Sequence, residues 1–190
     1  MAFEVTDLGI SGVKLIKAQK LGDHRGFFSE VYSRKDLAEA GINIDFVQDN
    51  HSRSSERGTL RGLHFQTPPF AQHKLVRVVR GAIVDVAVDL RSGSATYGKH
   101  VSATISADDW NQLLVPIGFA HGFMTLEPNT EVHYKVSNYY SMEHDKGVFW
   151  NDPDLAIRWP QVGSVRLSEK DGRLPAFRDI PDIFREEVLA

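Results

Sequence analysis

Six side chains in this 190-residue chain, all of types that move protons, are candidates to line one polar cavity: His64, Lys74, Asp85, His121, Tyr134 and Asp171. An imidazole oriented by a carboxylate is a general base. A phenol is a proton donor, and an ammonium stabilises a developing oxyanion. Together they suit removal and return of a proton beside a carbonyl. A lone histidine is more often a satisfied structural residue, and His64 gains its weight from this company.

His64 stands in Arg61-Gly62-Leu63-His64-Phe65-Gln66. The alternation is that of a half-buried strand, with Leu63 and Phe65 on one face and Gly62, His64 and Gln66 on the other. Arg61 and His64 are three positions apart, so a regular strand sends them to opposite faces. For both to reach one pocket, Gly62 must mark a bulge or Arg61 must act from an edge. Lys74 opens an apolar segment that reads as a strand over 75–79, a turn at Arg80-Gly81 and a second strand over 82–90. In the second strand Val84, Val86, Val88 and Leu90 share one face, and Ile83, Asp85, Ala87 and Asp89 the other. A mid-strand carboxylate such as Asp85 needs partners or an open cavity; periodicity equally allows a face in water. Tyr134 shares a face with Val132 and Val136 in the run 131–137, while His133 and Lys135 face away. That pattern by itself also fits a core tyrosine.

The remaining chain supplies the scaffold. Turn residues at 23–26 precede a strand over 27–32, and further strands are expected over 13–16, 45–51, 101–105, 111–115, 147–150 and 156–159. A short helix over 34–40 has Ser33 to cap it and Gly41 to stop it. Polar loops are expected over 52–59 and 167–172, and a short helix in the tail over 183–189. Many short strands punctuated by Gly and Pro imply an all-β sandwich or barrel. The length suits one domain, or one domain with a C-terminal extension.

Composition narrows the function. The net charge of -3 and dispersed basic residues argue against a nucleic-acid or acidic-membrane binder. A few local arginines still suffice for an anionic ligand. With no cysteine there is no disulfide, thiolate metal site or Cys nucleophile. The start lacks the pattern of a signal peptide and no apolar run reaches spanning length, so a cytoplasmic protein is expected. A barrel with histidines raises a metal site of the cupin type: two histidines separated by one residue, a nearby carboxylate and a later His. His121, after Pro116 and Gly118, fits the later element. The earlier one fails, since Gln66 stands two after His64 and no Asp or Glu follows before Asp85. Ligands must converge within about 2 Å of one ion, so no metal is expected.

Several blocks in order resemble the dTDP-4-dehydrorhamnose 3,5-epimerase family. They are Arg61 to Gln66, Lys74-Leu75-Val76-Arg77, Gly118-Phe119-Ala120-His121-Gly122-Phe123, Tyr134-Lys135, Asn138-Tyr139-Tyr140 and Leu167-Ser168-Glu169-Lys170-Asp171. The likeness runs from about Asp23 to Asp171. It implies a double-stranded β-helix, a cupin-like jelly roll, in homodimers that exchange N-terminal strands. It also implies a reaction without metal or coenzyme on a thymidine-diphosphate 4-keto-6-deoxy sugar, on the way to dTDP-L-rhamnose.

By matching motif, the resemblance makes His64 the base, Asp171 its dyad partner, Tyr134 the acid on the opposite ring face and Lys74 the group near the C4 oxygen. Arg25, Glu30, Gln48, Asn50, Arg61, His121 and Lys170 match substrate-binding positions. Asp145 stands where relatives often carry Glu, one methylene shorter. Asp85 matches an acidic position near the catalytic His. The implied reaction is epimerisation at C3 and C5; the alternative is inversion of one carbon in a related deoxysugar pathway. Thymine can stack on an aromatic ring, and guanidinium forks suit the diphosphate.

Overall fold

β-Branched and aromatic runs alternate with Gly and Pro turns along most of the chain, and each run becomes a strand paired antiparallel with its neighbours. The computed structural model describes residues 3–10 and 12–185. Its strands are β1 (Phe3–Asp7), β2 (Lys14–Ala18), β3 (Leu21–Asp23), β4 (Gly26–Phe28), β5 (Gln48–Ser54), β6 (Leu60–Gln66) and β7 (Lys74–Arg80). They continue as β8 (Ala82–Asp89), β9 (His100–Ser106), β10 (Asn111–Val115), β11 (Phe119–Thr125), β12 (Thr130–Val136) and β13 (Asp145–Gly147). One sheet has the order β1-β2-β10-β7-β12-β5 and the other β13-β6-β11-β8-β9. From β5 onward the chain crosses between these sheets at each step, except between β8 and β9, which pair with each other. This is the jelly-roll barrel of cupin-like proteins.

Period-two burial fills the space between the sheets. Val76, Val78, Leu113 and Val132 of the first pack against Ile83, Ala87, Ile105 and Phe123 of the second. The opposite face of β8 (Val86 and Val88) joins Leu63, Phe65 and Met124 beneath the C-terminal segment, which contributes Leu155, Trp159 and Phe184. The first sheet's outer face is closed over Ile16 and Leu114 by the helix α1 (Arg34–Glu39), through buried Leu37. Ser33 caps that helix by accepting from the Asp36 N–H, as the sequence implies.

Some boundaries differ from the sequence reading. The strand expected over 45–51 runs from Gln48 to Ser54, taking three residues from the expected loop over 52–59. Its alternation is polar on both faces: 49, 51 and 53 are exposed, and 48, 50, 52 and 54 face inward. The strand expected over 147–150 lies earlier, as β13, because Asp145, Lys146 and Gly147 pair with Gln66, Phe65 and His64. Residues 156–159 form no strand; Trp159 instead donates its indole N–H to the Trp150 carbonyl at 2.9 Å. The loop over 167–172 ends in a 3-10 turn, Asp171–Arg173, that buries Asp171. Of the tail helix expected over 183–189, the described residues 183–185 are not helical, with Phe184 bridging to Arg91. Residues 186–189 lie outside the described residues.

Candidate active site

The base sits at an irregular point of β6. Between β6 and β11, His121 opposes His64 and Phe123 opposes Arg61. Three steps on one strand thus match two on the other, a bulge at Gly62. It resolves the spacing problem, since Arg61 and His64 both line one cavity of about 470 Å³. Glycine is required there: Gly62 has φ +130, and a Cβ would lie 2.5 Å from the Gly122 Cα. Behind His64, the 3-10 turn presents Asp171, whose Oδ1 is 2.6 Å from His64 Nε2. The Gly62 N–H reaches Asp171 Oδ2 at 3.4 Å, and Ser168 Oγ accepts from the Asp171 N–H at 3.0 Å. With Nε2–H directed to the carboxylate, His64 Nδ1 carries the lone pair.

The facing wall is the other sheet. Tyr134 on β12 lies opposite Asn50 and Val76, so it shares the inward face of Val132 and Val136. Lys74 begins β7 beside Val136 and Val115, also inward, with Nζ 3.5 Å from the His64 carbonyl oxygen. His64 therefore belongs to one sheet and Tyr134 and Lys74 to the other, and all three line the same cavity.

Burial and charge tune these groups. Burial pushes the Asp171 carboxyl up, but the hydrogen bond and charge of His64 outweigh it, with Gly62 and Ser168 adding, and leave it below the ordinary carboxylate value. Burial lowers Lys74 to about 8, against the pull of Asp145 and Asp85 toward the charged form. Burial also raises the Tyr134 phenol, with Asp145 adding and Arg61 opposing. The Tyr134 phenol is thus held protonated and His64 has a fixed carboxylate partner.

Arg61, His121 and Lys170 also line the cavity. Asp145 lies beside it, joined to Lys170 and accepting from the Tyr140 hydroxyl at 3.1 Å. Asp85 is fully buried and accepts from His121 Nε2 at 2.6 Å, so the water-facing alternative is wrong. Gln48 and Asn50 lie on the inward face of β5, with the Gln48 amide donating to Asn50 Oδ1 at 2.8 Å, but do not reach the cavity lining. Arg25 and Glu30 are exposed and are not brought to this cavity within the chain; Arg25 pairs with Asp23 in the β3–β4 hairpin.

The sequence reading missed Ser52, Thr59, Leu60, Phe123, Arg166, Leu167 and Ser168, all of which line the cavity. Two were within reach of periodicity: Ser52 follows Asn50 by two on β5, and Phe123 follows His121 by two on β11. Arg166 to Ser168 come from an irregular segment with no period to read. Among the described residues, no group of three or more His, Asp or Glu side chains is placed to hold a metal ion. His64 and His121 each face an aspartate instead.

A jelly-roll barrel with a His–Asp pair on one wall and a Tyr–Lys pair on the other brings together the group types that proton transfer beside a carbonyl requires. Residues 7–179 match the family model described as dTDP-4-dehydrorhamnose 3,5-epimerase. A protein of that name from Sinorhizobium fredii is 53% identical over 178 residues, 94% of this chain and 91% of the relative. The crystal structure of the Bacillus anthracis enzyme of that name, with TDP and PPi bound, is 53% identical with a TM-score of 0.90, covering 93% of this chain and all of that one. A Legionella pneumophila epimerase in complex with dTDP-4-keto-L-rhamnose is 41% identical with a TM-score of 0.91, covering 94% and 95%. The chain belongs to the dTDP-4-dehydrorhamnose 3,5-epimerase family.

Proposed function

We propose that this protein converts dTDP-4-dehydro-6-deoxy-D-glucose to dTDP-4-dehydro-L-rhamnose by inverting C3 and C5. The observation that carries the reading is the division of the cavity: His64 backed by Asp171 on one sheet, Tyr134 and Lys74 on the other. A hydrogen alpha to the 4-keto group is only weakly acidic. His64 Nδ1 takes it, and the electron pair moves through the alpha carbon onto the C4 oxygen. Lys74, as an ammonium, stabilises that enolate. Tyr134 returns a proton to the same carbon from the opposite face, and the C4 carbonyl reforms. Asp171 keeps the imidazole oriented and stabilises its charged form.

The pyrophosphate suits Arg61, Arg166 and His121 around the mouth, where guanidinium forks match phosphate oxygens. The working form we propose is a cytoplasmic homodimer that needs no metal or coenzyme. The β3–β4 hairpin supports the dimer: it pairs with neither main sheet and exposes Leu21, Phe27 and Phe28. Exchange of this N-terminal region would carry Arg25 and Glu30 into the partner's cavity. Purified protein, supplied with dTDP-4-dehydro-6-deoxy-D-glucose and a reductase specific for the L-sugar, should support steady NADPH oxidation. No oxidation above the reductase-only control would reject the assignment.

A further inference from the structure

Of the buried carboxylates among the described residues that the mechanism above does not use, Asp85, Asp89 and Asp152, only Asp85 has an oxygen without a hydrogen-bond partner. Asp85 lies mid-strand on β8, opposite Phe123 and Ala103, with no solvent exposure. Its Oδ1 accepts from His121, whereas its Oδ2 is buried with no hydrogen-bond partner. An ionised carboxylate so enclosed is costly unless positive charge surrounds it. His121 supplies one hydrogen bond, and it lies opposite His64, whose carbonyl oxygen accepts from the Lys74 ammonium of the facing sheet.

We infer that Asp85, held in place by His121, is a counter-charge of Lys74, and so a positioning residue that keeps Lys74 an ammonium at the substrate's C4 oxygen. The groups around Lys74 are Asp85 from β8, Asp145 from β13, Arg61 and His64 from β6, His121 from β11, Tyr134 from β12, and Arg166, Lys170 and Asp171 from the C-terminal segment. Burial discharges Lys74, and the two carboxylates that oppose this are Asp145 and Asp85. Asp145 already holds Lys170 and the Tyr140 hydroxyl. Its pull on Lys74 is the larger of the two, and Asp85 adds a second from the interior, where its Oδ2 has no hydrogen-bond partner. The catalytic half of this role rests on the epimerase reading; the charge on Lys74 can be measured without substrate.

The test is acetylation of Lys74 by acetic anhydride, followed by peptide mass spectrometry between about pH 6 and 10, in wild type, Asp85→Asn and Asp85→Thr. The second variant is β-branched and suits a strand, should the first fold poorly. Loss of the carboxylate should lower the Lys74 midpoint by at least half a pH unit, which is about threefold faster acetylation near pH 7. The alkaline limb of kcat/KM should move the same way, a change that loss of packing alone does not produce. An unmoved midpoint in either folded variant overturns the role of Asp85. Absence of turnover by the wild type counts against the epimerase reading instead.

Discussion

In the proposed reaction His64 and Tyr134 invert a carbon because they approach it from different sheets, and Lys74 sets how readily the carbon gives up its proton. Lys74 is held for function at a cost to folding. Its folded pKa of about 8 lies below the ordinary 10.5, so the unfolded chain binds more protons between these values and stability rises with pH across that window. Below pH 8 the buried ammonium destabilises the fold. Lys74→Met should therefore raise unfolding free energy at pH 7 by on the order of 2 kcal/mol in urea titrations, with turnover lost. The gain should vanish above about pH 10.5. Wild-type kcat should likewise fall as pH rises through about 8, where the ammonium is lost, and a pH–rate profile flat to pH 10 would contradict this role.

At the scale of the element, β6 and β11 set the base in place through a bulge that only glycine permits. Gly62→Ala puts a methyl group against the Gly122 backbone. The strands must part, and His64 then loses its place against Asp171. We expect a loss of about 2–4 kcal/mol in chemical denaturation and near-complete loss of activity. Native stability in this variant would show that the close approach is not needed. The bulge was partly legible in sequence: Arg61 and His64 could share a pocket only through it or with Arg61 acting from an edge, and the spacing did not choose between them. The Asp85 face was legible too, by period two, although its direction was not: alternation names two faces without saying which is wet. The positions of β5 and β13 were less so, because both strands are polar and their register is set by partners distant in the chain. Arg166 and Ser168 reach the cavity by an irregular path that no local pattern announces.

At the scale of the whole molecule, the cavity is lined by one chain, with Gln48, Asn50 and Asp145 outside the lining, and two expected ligand-binding residues lie in its exposed N-terminal region. Arg25 sits in the turn of the exposed hairpin and Glu30 two residues beyond its end. If a partner supplies them, Arg25→Ala and His64→Ala chains, each defective alone, should complement when unfolded and refolded together. Random mixing makes half the dimers hybrids with one complete site, so about a quarter of wild-type activity should return. No recovery despite hybrid formation would place Arg25 in its own chain's site or outside any. The central claim of the proposed reaction is that the two sheets act on opposite faces of one ring. Proton NMR of the sugar nucleotide in heavy water, with wild type and Tyr134→Phe, tests it most directly. Wild type should place deuterium at both C3 and C5 with inversion, while Tyr134→Phe should still exchange protons through His64 but return little inverted sugar. Inversion by Tyr134→Phe at the wild-type rate would contradict the account.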